Sequence, residues 1–150
     1  MPDKESKPGT HLEHLFDVEL EYRQGMARVF PDRGKIGEYL GSGEGAVFGS
    51  KVNGVVQWDL FREEDEFISG SNLRGLIKTD DGARISFDSV GYFMRPDMAR
   101  PTEWVTAASV HFQTDSHRYA WLNKVLALWQ GSYDMGTNGH SYNAFMQVSN

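Results

Sequence analysis

Cysteine is absent from the 150-residue chain, which excludes disulfides, thiolate metal sites and cysteine nucleophiles. Proline is scarce, at 5 positions. No run approaches the roughly 18 apolar residues that a membrane-spanning helix needs. Basic side chains number 15 against 21 acidic ones, leaving a formal charge of −6. That balance lacks the basic face of a nucleic-acid or anionic-membrane binder, so neither partner is expected. The opening residues MPDKESKPGTH contain no apolar core of a secretion signal, and a cytoplasmic protein is expected. No long segment follows a period of 3.6; His117–Leu122 is read as one short helical turn at most.

What the sequence does have is alternation. His14, Phe16, Val18, Leu20 and Tyr22 share one side of an extended segment, opposite Asp17, Glu19, Glu21 and Arg23. A period of two over this length specifies a strand with one buried and one wet face. Val52, Gly54, Val56, Trp58 and Leu60 alternate in the same way with Asn53, Val55, Gln57, Asp59 and Phe61. Leu73, Gly75 and Ile77 alternate with Arg74, Leu76 and Lys78. Thr79-Asp80-Asp81-Gly82 then leads into an extended run over 83–95. Asp-Gly between alternating runs is a hairpin signal, because glycine accepts the positive φ of such turns. Further strands are expected near Glu103–Gln113, Lys124–Gln130 and Ser141–Val148. Glycines inside strand patterns permit the bends that let a sheet close on itself.

These features predict an all-β domain over 13–150, a closed or nearly closed antiparallel β-barrel of eight or nine strands. In outline it is calycin- or dirigent-like, with a two-sheet sandwich as the alternative. Residues 1–12 are read as a flexible arm. The 19 aromatics suffice to fill such an interior.

Several elements together resemble the bacterial and fungal domain-of-unknown-function family 3237. Gly49-Ser50-Lys51-Val52-Asn53-Gly54 is similar to its Gly-Pro-x-x-x-Gly element. Trp58 follows, then Arg74 five residues before the turn Thr79-Asp80-Asp81-Gly82-Ala83, and finally Tyr119-Ala120-Trp121-Leu122-Asn123. The resemblance implies an antiparallel barrel with a pocket, often oligomeric, and for some relatives a link to aromatic-compound chemistry. It departs at Ser50, where the family has Pro, and at Gln57-Trp58, where the family has Asp-Trp. The loss of a carboxylate at position 57 removes one potential base.

Other chemistries find little support. The five histidines include no H-x-H or H-E-x-x-H spacing, and no metal site is expected. Gly41-Ser42-Gly43-Glu44-Gly45 lacks the following helix of a phosphate loop and reads as bent strand. No G-x-S-x-G nucleophile elbow occurs. What remains is a polar cluster in an aromatic barrel pocket, and the family resemblance implies that such a pocket acts without a cofactor as a lyase, isomerase or cyclase.

Arg74 is the candidate for stabilising oxyanion charge, with Asp59 as its possible ion partner, and Asp59 or His111 for moving a proton. Gln57, Trp58, Tyr92, Tyr119, Trp121 and Asn123 are candidates for holding an aromatic or largely apolar small molecule. Each has a plainer reading: an Arg–Asp pair fixing register, core aromatics, and side chains that shape a turn. A non-catalytic carrier or sensor needs the same cavity but no matched acid and base. Open strand edges would favour a homo-oligomer.

Overall fold

The alternating segments form nine antiparallel strands in the computed structural model, which describes residues 9–22, 27–29, 37–64, 68–97, 99–100, 102–134, 136 and 139–149. They are β1 (Thr10–Tyr22), β2 (Ala27–Val29), β3 (Gly37–Phe48), β4 (Gly54–Glu64), β5 (Ile68–Thr79), β6 (Arg84–Met94), β7 (Glu103–Gln113), β8 (Ala127–Asp134) and β9 (Gly139–Ser149). A 3-10 turn, Ala120–Lys124, lies between β7 and β8. Strand β1 is hydrogen-bonded to β9 on one side and to β3 on the other, so the sheet closes. Strands β1 and β3 to β9 make an eight-stranded wall, and the short β2 pairs with the upper part of β3. Closure removes exposed sheet edges along the paired segments and gives every strand an inside and an outside.

The period of two decides what fills the inside. Along β7, Trp104, Thr106, Ala108, Val110 and Phe112 are buried while Glu103, Ala107, His111 and Gln113 are exposed. Strand β1 departs from regular parity. The register shifts between His14 and Phe16, so Leu15 and Phe16 both reach the core and His14 turns outward to bond Asp17 at 2.7 Å. The sequence pattern had put His14 on the buried face; the bulge is why it is not there. β1 also begins earlier than its alternation suggested, because Thr10, His11 and Leu12 pair with Ser149, Val148 and Gln147. Residues 10–12 are therefore strand rather than arm, and residues 1–8 lie outside the described residues.

Rings occupy the interior in contact with one another. Phe16 meets Phe112 edge-on at 6.0 Å, Phe87 meets Trp129 at 5.4 Å, and Trp129 stacks on Tyr142 at 5.5 Å. Such pairs add about 0.5–1.5 kcal/mol each beyond their buried area. Cross-strand glycines make room for them. Gly43, Gly75 and Gly131 lie opposite Trp58, Phe87 and Tyr142, and each ring covers the backbone of its glycine.

The tightest of these approaches lies at the closing seam. A Cβ on Gly43 would stand 1.8 Å from the Glu21 carbonyl oxygen and 2.5 Å from the Trp58 ring. A backbone oxygen cannot swing aside as a flexible side chain can, so Gly43→Ala must push β1 away from β3. The expected cost is about 1–3 kcal/mol of overpacking strain. It is read as a lower urea midpoint.

Candidate functional site

The two ends of the barrel differ chemically. At the lower end the β5–β6 hairpin turns through Asp80-Asp81-Gly82, with Gly82 at φ +89° and its N–H bonded to the Thr79 carbonyl at 3.0 Å. This is a three-residue loop whose left-handed position suits glycine. Asp81 binds the hairpin to the 3-10 segment. Its carboxylate accepts from Tyr119 Oη at 3.0 Å, from Arg118 at 2.7 Å and from the Thr79 hydroxyl. Asn123 completes the cap: its Oδ1 accepts from Thr114 N at 2.8 Å and its Nδ2 donates to Thr114 O at 2.9 Å. The Asn53 carbonyl accepts from Asp80 N at 3.0 Å, tying in the 49–54 segment. Leu122, wholly buried in the core, closes this end.

These contacts move two ionisations. The Thr79 hydrogen bond first, then those of Tyr119 and the charge of Arg118, hold the Asp81 carboxyl below the usual aspartate range. Burial first, then its bond to Asp81, pushes the Tyr119 phenol up.

At the upper end a histidine sits inside a cage of rings. His140, 2% exposed, is the cross-strand neighbour of Tyr133 and Leu20 near the start of β9. Its ring lies 4.2 Å from Tyr133, 5.7 Å from Trp58 and 5.9 Å from Phe93, measured between centroids. Nδ1 is hydrogen-bonded to the Tyr142 hydroxyl, two residues along the same inward face, and Nε2 is likewise buried.

Two further polar groups reach this level. Thr106 pairs with Phe93 and Gly131; its buried hydroxyl has no hydrogen-bond partner among the described residues. Arg95, just beyond β6, lays its guanidinium 4.4 Å from the centre of the Trp104 ring, a cation–π contact. A buried hydroxyl left unmatched costs about 1–3 kcal/mol, which a ligand oxygen or a water offsets. A phenol-bonded imidazole, a hydroxyl and a guanidinium around apolar rings can exchange a proton and stabilise an oxyanion.

The residues singled out from sequence divide between wall and lumen. Trp58 faces the lumen beside His140 and donates its indole N–H to Glu44 O at 3.3 Å. Gln57, Asp59, Arg74 and His111 are exposed on the outer wall, which corrects their expected inward direction. Strand parity is the reason: each alternates with a buried neighbour, Trp58, Leu73 or Phe112. Asp59, Arg74, Asp88 and His111 form one outer row across four strands. Arg74 Nε lies 3.5 Å from Asp88, with the two side chains 63% and 52% exposed, and Asp88 replaces Asp59 as the expected ion partner. A pair so exposed contributes little. Gln57, Asp59 and Arg74 also border a shallow outer depression of about 470 Å³.

Tyr92 stands 60% exposed on the outer wall, and Trp121 lies at the lower cap with Lys51 Nζ 5.7 Å from its ring. Tyr119 and Asn123 belong to the same cap, so none of these four lines the upper lumen. His140, Tyr142, Thr106, Tyr133 and Arg95 were missed. The alternation of His140, Tyr142, Ala144 and Met146 carries the signal, but a strand begun at Ser141 starts two residues after β9 does and leaves His140 out. Among the described residues no cluster of three or more His, Asp or Glu could hold a metal ion.

Comparison with known proteins places the chain in a family. The family model DUF3237, a protein of unknown function, matches residues 10–147, and the chain belongs to that family. No curated protein matches the sequence. A β-barrel-like protein from Acinetobacter baumannii is similar in structure, with TM-score 0.83 and 19% identity, covering 97% of this chain and 100% of its own. A protein of unknown function from Clostridium acetobutylicum gives TM-score 0.82 and 18% identity, covering 93% and 100%. An enzyme from Penicillium herquei gives TM-score 0.66 and 22% identity, covering 91% and 94%. At these identities the shared property is the fold.

The cap has a pH signature. Asp81 has a depressed carboxyl in the folded state, so its contribution to stability is present above the unfolded aspartate range and is lost as pH falls through the folded value. Asp81→Asn should therefore lower the melting temperature clearly at neutral pH. Its difference from the parent should shrink as the scan moves into the acid range.

Proposed function

We propose that this DUF3237 protein is a cofactor-independent enzyme, a lyase, isomerase or cyclase, that acts on an aromatic or largely apolar compound in the upper lumen. The observation that carries this reading is His140, buried among Trp58, Phe93 and Tyr133 with Nδ1 held by Tyr142. A histidine is suited to proton transfer near neutral pH, and the hydrogen bond to Tyr142 fixes the direction of its ring.

In this reading Nε2 takes a proton from a carbon or hydroxyl of the guest and returns it at a second position. Between the two transfers, negative charge gathers on a guest oxygen as enolate or phenolate. The Thr106 hydroxyl donates to that oxygen and the Arg95 guanidinium, steadied on Trp104, adds positive charge. Trp58, Phe93 and Tyr133 supply flat apolar walls that hold an aromatic ring and keep water from the developing charge. The fold supports such a role to the extent that the structurally similar Penicillium herquei protein is described as an enzyme.

The runner-up, a carrier or sensor using the same walls, is separated by turnover. The test uses 2-tetralone, an aryl ketone with acidic α-hydrogens, in D2O, following α-hydrogen exchange by NMR and binding by tryptophan fluorescence. The protein should bind the ketone and accelerate exchange over buffer. His140→Gln should cut the acceleration by about 10²–10⁴-fold, the usual worth of general acid–base catalysis, while leaving binding largely in place. Thr106→Val should lower both modestly. Binding without exchange would support the carrier. Exchange that survives His140→Gln but fails in His111→Gln would return the chemistry to the outer wall.

A further inference from the structure

The outer wall is divided into a charged half and an uncharged half. Outward positions over β3 to β5 and the lower part of β6 carry Glu44, Asp59, Arg74, Lys78 and Asp88. From the upper part of β6 across to β9 the outward positions change character. Those within Val105–Ser109 of β7, Leu128–Ser132 of β8 and Ser141–Phe145 of β9 include no charged side chain. Val90, Tyr92 and Leu128 are 59%, 60% and 44% exposed there. Asp17, Asp88, His111 and Glu103 stand around the patch rather than in it.

Relief within the patch comes from one short side chain. Tyr92, Ala107, Gln130 and Asn143 form a single cross-strand row. Ala107 leaves a depression of about 290 Å³, bordered by Leu12, Leu128, Gln130 and Phe145, and Tyr92 projects beside it. A knob next to a hollow on one face is the arrangement that a two-fold axis satisfies twice.

We infer that this face is where a second copy of the chain docks, forming a two-fold dimer with its axis near Ala107 and Gln130 and each Tyr92 seated in the other copy's hollow. Charge selects this occupant. Each copy carries a formal −6, so two copies meet with least repulsion where neither presents a charge, whereas a basic partner would be drawn to the acidic remainder of the surface. Four strands at ~4.8 Å spacing and six residues at ~3.3 Å give a planar footprint on the order of 400 Å². A face of that size is below the about 800 Å² per partner that stable interfaces commit and belongs with weak, reversible ones. The dimer is therefore concentration-dependent.

Sedimentation velocity over a roughly hundredfold concentration range tests this by mass action. The intact chain should shift from monomer to dimer. Leu128→Glu and Tyr92→Glu, at exposed positions that leave the core untouched, should remain monomeric with unchanged circular dichroism. Gln57→Glu on the opposite wall should still dimerise. Because the chain has no cysteine, Gln130→Cys near the axis should form a disulfide-linked dimer under mild oxidation, and Gln57→Cys should not. A monomer at every concentration, including one whose face takes up some other molecule, overturns the inference. So does a dimer that survives Leu128→Glu and Tyr92→Glu.

Discussion

Pairing of β1 with β3, from Asp17 opposite Phe48 to Tyr22 opposite Gly43, turns an extended sheet into a cylinder. Without that seam the strands would have two solvated faces and an open edge; with it, parity assigns every residue to a core or to water. The seam depends on close backbone approach, which Gly43 and Gly45 permit where a side chain would meet the carbonyls of Glu21 and Glu19. An aromatic from the next strand, Trp58, then covers the space that Gly43 leaves. The same device recurs at Gly75 with Phe87 and at Gly131 with Tyr142. Large rings opposite missing side chains let a narrow barrel hold many aromatics.

Closure also gives the barrel two chemically different ends. The lower end is a polar clamp, in which one carboxylate, Asp81, gathers hydrogen bonds from the hairpin and from the 3-10 segment. Most of the short motifs that carry the family resemblance meet in this clamp: the Thr79–Ala83 turn, the Tyr119–Asn123 stretch and Asn53 of the glycine element. The upper end instead carries His140, Thr106 and Arg95 among rings. Residues recognisable from a motif therefore hold the barrel shut, while the groups able to exchange a proton lie in strands with no motif of their own.

This explains what could be read in the sequence and what could not. Alternation along Val52–Leu60 and Glu103–Gln113 was sufficient for the strands, and Asp80-Asp81-Gly82 for the hairpin. It also put Trp58 on one face and Gln57 and Asp59 on the other, so those three could not all line one lumen. Arg74 was harder, because its neighbour Gly75 has no side chain to reveal which face is apolar and Leu76 is apolar on the outer face. The bulge at His14 is invisible to a period of two. His140 was hidden by a strand boundary, since a histidine in a supposed loop carries no orientation, whereas the same residue in phase with Tyr142 and Ala144 is necessarily internal.

On this account the lumen and the two halves of the wall have separate roles, and only the lumen does chemistry. The chain has five histidines, of which His140 alone is buried among those described, so imidazole NMR can distinguish them directly. Titration of ¹⁵N-histidine-labelled protein with 2-naphthol, a flat phenol, is the most direct measurement. The account predicts that the His140 ring nitrogen signals shift with added phenol while those of His111 stay in place. Movement of the His111 signals with an unresponsive His140 would contradict it.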